Sequence, residues 1–364
     1  MNGVWGNSIK ISIFGESHGK AVGINIGGLP PGIQINMEQV LFEMNRRAPK
    51  SSLSTSRKEE DTPDILSGLY NNKTTGMPIC AIIQNNNVYS KDYNNLKSLM
   101  RPSHSDYPAH IRYKGFNDYR GGGHFSGRLT APLVFAGAIC KQILGTQNIH
   151  IGSHISSIKN INDNSFDYTN IPKELLKQLS YDEIPLINKL KENEIKDCIK
   201  NAKNDGDSVG GVIECAIIGV CAGIGEPFFA SVESTLAQLL FSVPAVKGVE
   251  FGLGFDITKE NASDINDELY YDNNKIVKTK TNNSGGIQGG ITNGMPIVFK
   301  CAIKPTSSIS KKQDTINLQT QQNDTIEIIG RHDPCIVHRA VPVVESVSAI
   351  GILDLVRSSN LWTH

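Results

Sequence analysis

The sequence predicts an α+β fold built on one internally duplicated unit, and three observations carry that expectation. Apolar residues alternate with polar ones near the start of the chain, and an apolar strand pattern returns at 209–220. An apolar-striped helix follows each strand region, at about 37–47 and about 232–242. Each helix is followed by a Gly-flanked apolar segment and then a strand opening on Gly-Met-Pro-Ile, TTGMPICAII at 74–83 and TNGMPIVFKCAI at 292–303. A repeated order of elements is the mark of a duplicated structural unit.

Taken in order, Ile9, Ile11 and Ile13 alternate with Lys10 and Ser12, and Val22, Ile24 and Ile26 alternate after GESHGK. This predicts two paired strands with His18 in their connection. Asn36 is placed to cap the first helix, whose stripe is Met37, Val40, Leu41 and Met44, and Pro49 stops it. A helix at about 128–144 carries Leu129, Leu133, Ala136, Gly137, Cys140 and Leu144 on one face, with Gly145 at its end. Its small residues imply close packing. The Asn-, Asp- and Lys-rich stretch 156–208 reads as peripheral surface helices and loops. Ser231 caps the second helix of the repeat, Val232, Leu236, Leu239 and Leu240 face inward, and Pro244 ends it. A last helix is expected over 342–357, with Pro342 in its first turn. No Pro- or Ser-rich linker divides the chain, so the expectation is a single domain, 1–364, with repeat halves of roughly 1–145 and 205–364.

Composition narrows the function classes. Lys+Arg and Asp+Glu balance at 36 each, so no global basic field points to nucleic acid or a membrane surface. Arginine clusters must therefore be explained locally. The seven cysteines form no CxxC pair and no regular framework, which fits a reducing cytoplasm. No apolar run approaches membrane-spanning length, and the expectation is a cytoplasmic protein.

Three segments concentrate the chemistry: GESHG at 15–19, RGGGHFSGR at 120–128 and RHDPCIVHR at 331–339. Glycines followed by Ser126 at a helix start offer backbone N–H groups and the positive helix end to an anion. Arg128 in that first turn opposes the helix dipole, an odd choice for helix stability alone. The alternative is a flexible turn with a solvated arginine. His18 between glycines is able to exchange a proton near neutral pH, although most loop histidines are simply solvated. RPSHSDYPAH at 101–110 adds Arg101, His104 and Asp106, and RHDP adds Arg331 and Asp333, with Arg339 beyond. Each alone is explicable as surface charge or capping; together they suggest one composite anionic site. No HxxxH pair or Cys/His spacing suggests a metal, and neither Ser17 nor Ser126 sits in GxSxG.

These residues carry a family resemblance along essentially the whole chain. GESHGKAVGINIGGLPPG, GGHFSGRLTAPLVFAGA and RHDPCIVHRAVPVVES resemble the three signatures of chorismate synthase, and NRRAP, RPSHSDY, PAVKGVEFG, NNSGGIQGG and KPTSS match in order. The resemblance implies a β-α-β sandwich with pseudo-two-fold symmetry, assembled as a homotetramer. It implies a lyase of the shikimate pathway that converts 5-enolpyruvylshikimate 3-phosphate to chorismate and phosphate by 1,4-anti elimination, with reduced FMN not consumed overall. By the same resemblance His18 assists departure of the phosphate, His104 protonates the reduced flavin, and Asp333 relays the proton removed from the substrate ring. FMN contacts are implied for His124, Phe125, Ser126, Pro244, Ala245, Gly289, Lys304, Pro305, Thr306, Ser307, Ser308 and Arg331. Substrate contacts are implied for Arg46, Arg47 and Arg128, with Arg57 and Arg339 beside them. An external flavin reductase is expected as the source of reduced flavin, with NADPH only an indirect reductant.

The chain departs from the family pattern in places. His124 and Phe125 stand where many members carry Arg or other polar residues, and Ser103 stands where Gly is usual. An arginine common after the proline of NRRAP is missing, and Pro244 replaces a common Asn. Two rival readings remain at this stage: a flavin-dependent oxidoreductase using similar phosphate loops, and a non-catalytic anion-binding protein.

Overall fold

The computed structural model describes residues 3–49, 61–86, 97–328 and 332–359. Its frame is two five-stranded antiparallel sheets with a layer of helices between them. Strands β1 (Val4–Trp5), β2 (Lys10–Gly15), β3 (Ala21–Gly27), β4 (Asp64–Ser67) and β5 (Ile79–Gln84) form the first sheet in the order β1-β2-β3-β5-β4. Strands β6 (His150–Ile158), β7 (Ile161–Asn162), β8 (Gly211–Ile218), β9 (Val246–Phe251) and β10 (Ile297–Ile303) form the second in the order β9-β10-β8-β6-β7. The path β2-β3-β5-β4 is thus repeated as β6-β8-β10-β9. Helix α1 (Met37–Arg47) follows β3 as α6 (Val232–Ser242) follows β8. Both GMPI segments open equivalent strands, β5 and β10.

Local chemistry accounts for these elements. Ile9 and Ile11 are buried and Lys10 between them is exposed, the period-2 burial of a strand with one core face. Asn36 caps α1 by accepting from the Gln39 N–H at 3.1 Å, and Ser231 caps α6 by accepting from the Ser234 N–H at 3.0 Å. Both helices run over the residues that the apolar stripes predict. Helices α2 (Asp106–Arg112) and α3 (Thr130–Gly145) follow β5 in the chain, and α4 (Lys173–Tyr181) and α5 (Glu192–Asn204) lie between β7 and β8. The chain closes on α7 (Val337–Ser358).

Helices α3 and α7 are buried almost all round, as expected of helices inside a sandwich. They cross where Gly137 meets Ser346: a Cβ at Gly137 would stand 2.2 Å from the Ser346 Cβ. The small residues of α3 serve that approach. Asp354 near the end of α7 accepts from the Ile9 N–H at 2.7 Å and the Asn7 N–H at 3.0 Å, tying the last helix to the first sheet.

Three expectations change. The second sheet includes residues 150–158, a strand that repeat halves of 1–145 and 205–364 leave out. Helix α7 begins at Val337, so Pro342 lies inside it and not in its first turn. The proline removes one donor from the ladder, but the preceding turn is already closed by Ala340 N–H to Ile336 O at 2.9 Å. Finally, 156–208 is not merely peripheral. Ile184, Leu186, Ile195 and Ile199 join the main core, and Asp163 and Glu214 clamp His154 at 3.0 and 2.8 Å under that covering segment.

The helix layer also contains a buried ion network. Arg46 of α1 donates to both carboxylate oxygens of Glu345 on α7, at 2.6 and 2.9 Å, and to Glu43 at 2.6 Å. Lys141 of α3 adds contacts to Glu345 at 2.5 Å and Glu43 at 3.1 Å. Burial alone would raise the Glu43 carboxyl, but Lys141 and Arg46 outweigh it and hold the group at about 2. Arg46, expected at the substrate, directs its guanidinium into this layer, where it bonds Glu43 and Glu345.

Candidate active site

The glycine run of RGGGHFSGR is the geometric centre of the site. Gly121, Gly122 and Gly123 all adopt left-handed backbone, with φ of 60°, 86° and 54°, which side-chain-bearing residues enter only at a cost. The run bends against two histidines from different loops. A Cβ at Gly121 would stand 2.4 Å from His18 Cδ2, and one at Gly122 would stand 3.3 Å from His104 Cε1 and Nε2. The Ser17 N–H donates to Gly123 O at 3.0 Å, which pins the β2–β3 connection to the run. Absent side chains are what allow both imidazoles to approach one segment.

His104 is embedded in a second set of contacts. Its Nδ1 is 2.7 Å from Asp106 Oδ1, and Asp106 also accepts from Arg101 Nε and Nη2, each at 2.7 Å. Burial lowers the His104 pKa, and the neighbouring Arg101 and Lys304 cations push the same way against Asp106. Arg101 Nη1 reaches Ser308 Oγ at 3.3 Å, Ser307 Oγ donates to Ser103 O at 2.9 Å, and Lys304 Nζ donates to Ser307 Oγ at 2.6 Å. The KPTSS loop of the second half is thereby clamped to the RPSHSDY loop of the first. Ser103 holds φ 56°, a backbone conformation that favours glycine.

Beside the histidines lies an arginine cluster. Asp61 bridges Arg47 and Arg128, and Thr130 Oγ1 is 3.5 Å from Arg47 Nη1. Two guanidinium groups sharing one carboxylate leave that trio net positive. They also hold the Asp61 carboxyl below the usual range, although burial alone would raise it. Arg128 Nε donates to Asn85 Oδ1 at 2.9 Å, while Asn85 Nδ2 donates to Glu16 O at 3.0 Å and Gly19 O at 2.9 Å. Asn85 thus joins the arginines to the turn that carries His18. Arg339 donates to Asp333 Oδ2 at 2.6 Å and to Arg47 O at 2.9 Å, which brings the C-terminal segment to the same cluster.

The remaining candidates are distributed around this core. Ser126 accepts from the Arg128 N–H at 3.3 Å, and His124 Nδ1 meets Gly15 O at 2.8 Å. Phe125 is exposed and lies against Tyr113. Pro244 and Ala245 form a turn in which Ala245 takes φ 76°, and Ala245 O accepts the Lys304 N–H at 2.9 Å. Pro305 and Thr306 continue the clamped loop, and Ser208 Oγ donates to Thr306 O at 2.8 Å. Gly289 tips a two-residue hairpin turn near the start of α6, with open space where a side chain would be. Arg57 and Arg331 lie outside the described residues. No group of three His, Cys, Asp or Glu suited to a metal occurs among the described residues.

Sequence reasoning missed Asp61, Asn85 and Asp118. Asp118 is held by Arg120 through a fork of 2.8 Å contacts, below the Gly123 turn. None of the three lies in a Gly- or His-rich motif. The only local signals are a Pro63 two residues beyond Asp61 and an Asn85 just past a strand end.

Comparison with known proteins identifies the family of the chain. The family pattern described as chorismate synthase matches residues 9–356. A chorismate synthase of Methanocaldococcus jannaschii is 45% identical over 361 residues, covering 96% of this chain and 95% of the relative. One of Pyrococcus abyssi is 43% identical over 360 residues, covering 98% of each. A crystal structure of chorismate synthase superposes with a TM-score of 0.75 at 29% identity, covering 97% of this chain and 92% of that one. With a match of this extent, on a frame of two sheets enclosing a helix layer, the chain belongs to the chorismate synthase family.

Proposed function

We propose that this lyase eliminates phosphate from 5-enolpyruvylshikimate 3-phosphate to form chorismate with the help of reduced FMN, at the site where His18, His104 and the Arg47–Asp61–Arg128 cluster converge. The single observation that carries the assignment of residues is the approach of both histidines to the left-handed glycine run. The donor set fits a flavin phosphate and ring. Thr306 Oγ1 is buried with no hydrogen-bond partner among the described residues, Lys304, Ser307 and Ser308 supply further donors beside it, and Gly127 and Gly289 leave open space. His124, Phe125, Ser126, Pro244, Ala245 and Pro305 line the same loops. When bound, reduced FMN supplies the electron-rich ring that assists elimination without net oxidation.

The chain's own residues carry the other tasks. Arg47, Arg128 and Arg339 hold the one phosphate and two carboxylates of the substrate through charge-assisted bonds. His18 delivers a proton to the departing phosphate, Asp333 accepts the proton lost from the ring, and His104 exchanges a proton at Nε2. We read the assembly as a homotetramer, for which exposed Phe228, Phe229 and Phe255 offer contact area. No helix among the described residues is long and apolar enough to cross a membrane, which suits a cytoplasmic enzyme.

The test is anaerobic. Protein, photoreduced FMN and substrate should release many equivalents of phosphate per flavin with no loss of reductant; one equivalent per flavin oxidised would favour the oxidoreductase reading, and none the anion-binding one. Oxidised FMN with NADPH alone should give nothing, because reduction is assigned to an external reductase. Steady flavin bleaching in that mixture would refute the assignment.

A further inference from the structure

We propose that Asp106 is a positioning residue that fixes His104 as the Nδ1–H tautomer, so that Nε2, facing the glycine run, is its proton-exchanging atom. The proposal rests on the reading that His104 exchanges a proton in the reaction.

The argument is one of donors and acceptors. The Arg101 guanidinium has only donors, and Arg101 directs three N–H groups at Asp106: its backbone N–H at 3.1 Å, Nε at 2.7 Å and Nη2 at 2.7 Å. A carboxylate so surrounded stays ionised; burial alone would raise its pKa, but the bonds from Arg101 and His104 hold it far below the usual range. An ionised carboxylate only accepts, so the His104 Nδ1 at 2.7 Å from Oδ1 must carry the hydrogen. Arg101 Nη2 also lies 3.1 Å from Nδ1, and Ser105 Oγ 3.4 Å, but both contacts are longer than the 2.7 Å to Asp106. The shorter contact decides.

The free ring edge then faces Gly122, where no side chain intervenes. The charged groups around the ring are Asp106 at the start of α2, Arg101 from the preceding loop and Lys304 from the KPTSS loop. Arg101 is itself held by Ser308, so the ring is oriented from both halves of the molecule. Aspartate also matters by its symmetry. In Asp106→Asn, one oxygen would remain with Arg101, while the amide nitrogen would donate to Nδ1 and move the ring hydrogen to Nε2. A comparable exchange in serine proteases leaves geometry intact and lowers kcat by about 10⁴-fold.

The experiment uses full-length protein labelled with ¹⁵N in histidine, with the His104 signals assigned by their loss in His104→Gln. Wild type should show a protonated Nδ1 and an unprotonated Nε2 at neutral pH. Asp106→Asn should reverse the two, lower kcat by about 10²–10⁴-fold, the span of general acid–base groups, and leave KM within a few-fold. Adding Asp106→Asn to His104→Ala should cost little further activity, whereas a purely structural residue would lower activity in both backgrounds. A wild-type ring protonated at Nε2 overturns the proposal even if the variant fails to fold. So does an unchanged tautomer in Asp106→Asn, or equal losses in the two backgrounds. Full activity in His104→Ala would overturn the role of His104 instead, and the tautomer measurement would still stand on its own.

Discussion

Histidine and arginine side chains in this site are defined by what they touch. His18 and His104 both abut the glycine run, so His18→Ala and His104→Ala should each reduce turnover about 10²–10⁴-fold with circular dichroism unchanged. Phosphate release under anaerobic conditions measures this, and near-normal turnover in either variant removes its role. Asp333→Asn should also impair turnover, because an amide cannot accept the proton. Arg128 is different: it is shared between Asp61 and whatever anion arrives. Arg128→Ala should weaken substrate or FMN binding by roughly 1.5–3 kcal/mol, read by titration of each ligand. The same change leaves Asp61 paired with Arg47 alone of these two arginines. Asp61 has its pKa depressed on folding, so its stabilisation is present above its ordinary 3.8 and lost as pH falls below that. Arg128→Ala should therefore lower stability chiefly above that pH and make the loss of stability on acidification smaller.

At the scale of elements, the α3–α7 crossing is set by one missing side chain. Gly137→Ala would drive a methyl into Ser346 and cost roughly 1–3 kcal/mol as an overpacked contact. Gly145, the last residue of α3, meets nothing within 4 Å, so Gly145→Ala should be neutral or stabilise by up to about 1 kcal/mol through helix propensity. Urea denaturation midpoints of the two variants compare a buried helix face with a helix end. If both behave alike, the crossing is not as tight as the backbone indicates. The clamp of residues 163–188 over the second sheet is likewise local. His154 bonds Asp163 and Glu214; Asp163 also accepts from Ile187 and Asn188 N–H, and Glu214 accepts from Phe166 N–H and Tyr168 Oη.

For the whole molecule, these buried charges predict a stability profile with two limbs. Glu43 is depressed from 4.5 to about 2, so it stabilises above 4.5 and its contribution, roughly 3 kcal/mol, fades as pH falls toward 2. His154 has the opposite sign. Burial works against its charge, but the bonds to Asp163 and Glu214 prevail and raise its pKa above 6.5. Its stabilisation is complete below 6.5 and disappears as pH rises through the raised value. Tm measured from acid to alkaline pH should fall at both ends, and His154→Gln should flatten the upper limb while leaving the lower one. Glu345→Gln should cost up to about 3–5 kcal/mol at neutral pH, because Glu43 is then left to balance both buried cations, Arg46 and Lys141. A small loss there would mean that water reaches the network.

The strand and helix periods, the caps at Asn36 and Ser231 and the repeated order of elements were all legible in the sequence, because each rests on spacing between near neighbours. So were the motifs that carry His18, His104, Arg128 and Asp333, since glycine-rich loops with charged residues announce themselves locally. Tertiary structure alone decided how those residues are used. Arg46 and Arg47 are adjacent and alike in sequence, yet the turn of α1 sends one into the Glu345 network and the other to Asp61. Asp61 and Asn85 became site residues only when β5 and the segment before β4 were placed beside Arg128. Residues 150–158 count as a strand because β8 supplies their partner, which a Gly- and Ser-containing run does not reveal by itself. The start of α7 ahead of Pro342 was likewise settled by packing between the sheets, which outweighs the loss of one helical donor. Periodicity is local, but the partner of a buried charge is chosen by the fold, because desolvation penalises every arrangement except the one that brings opposite charges together.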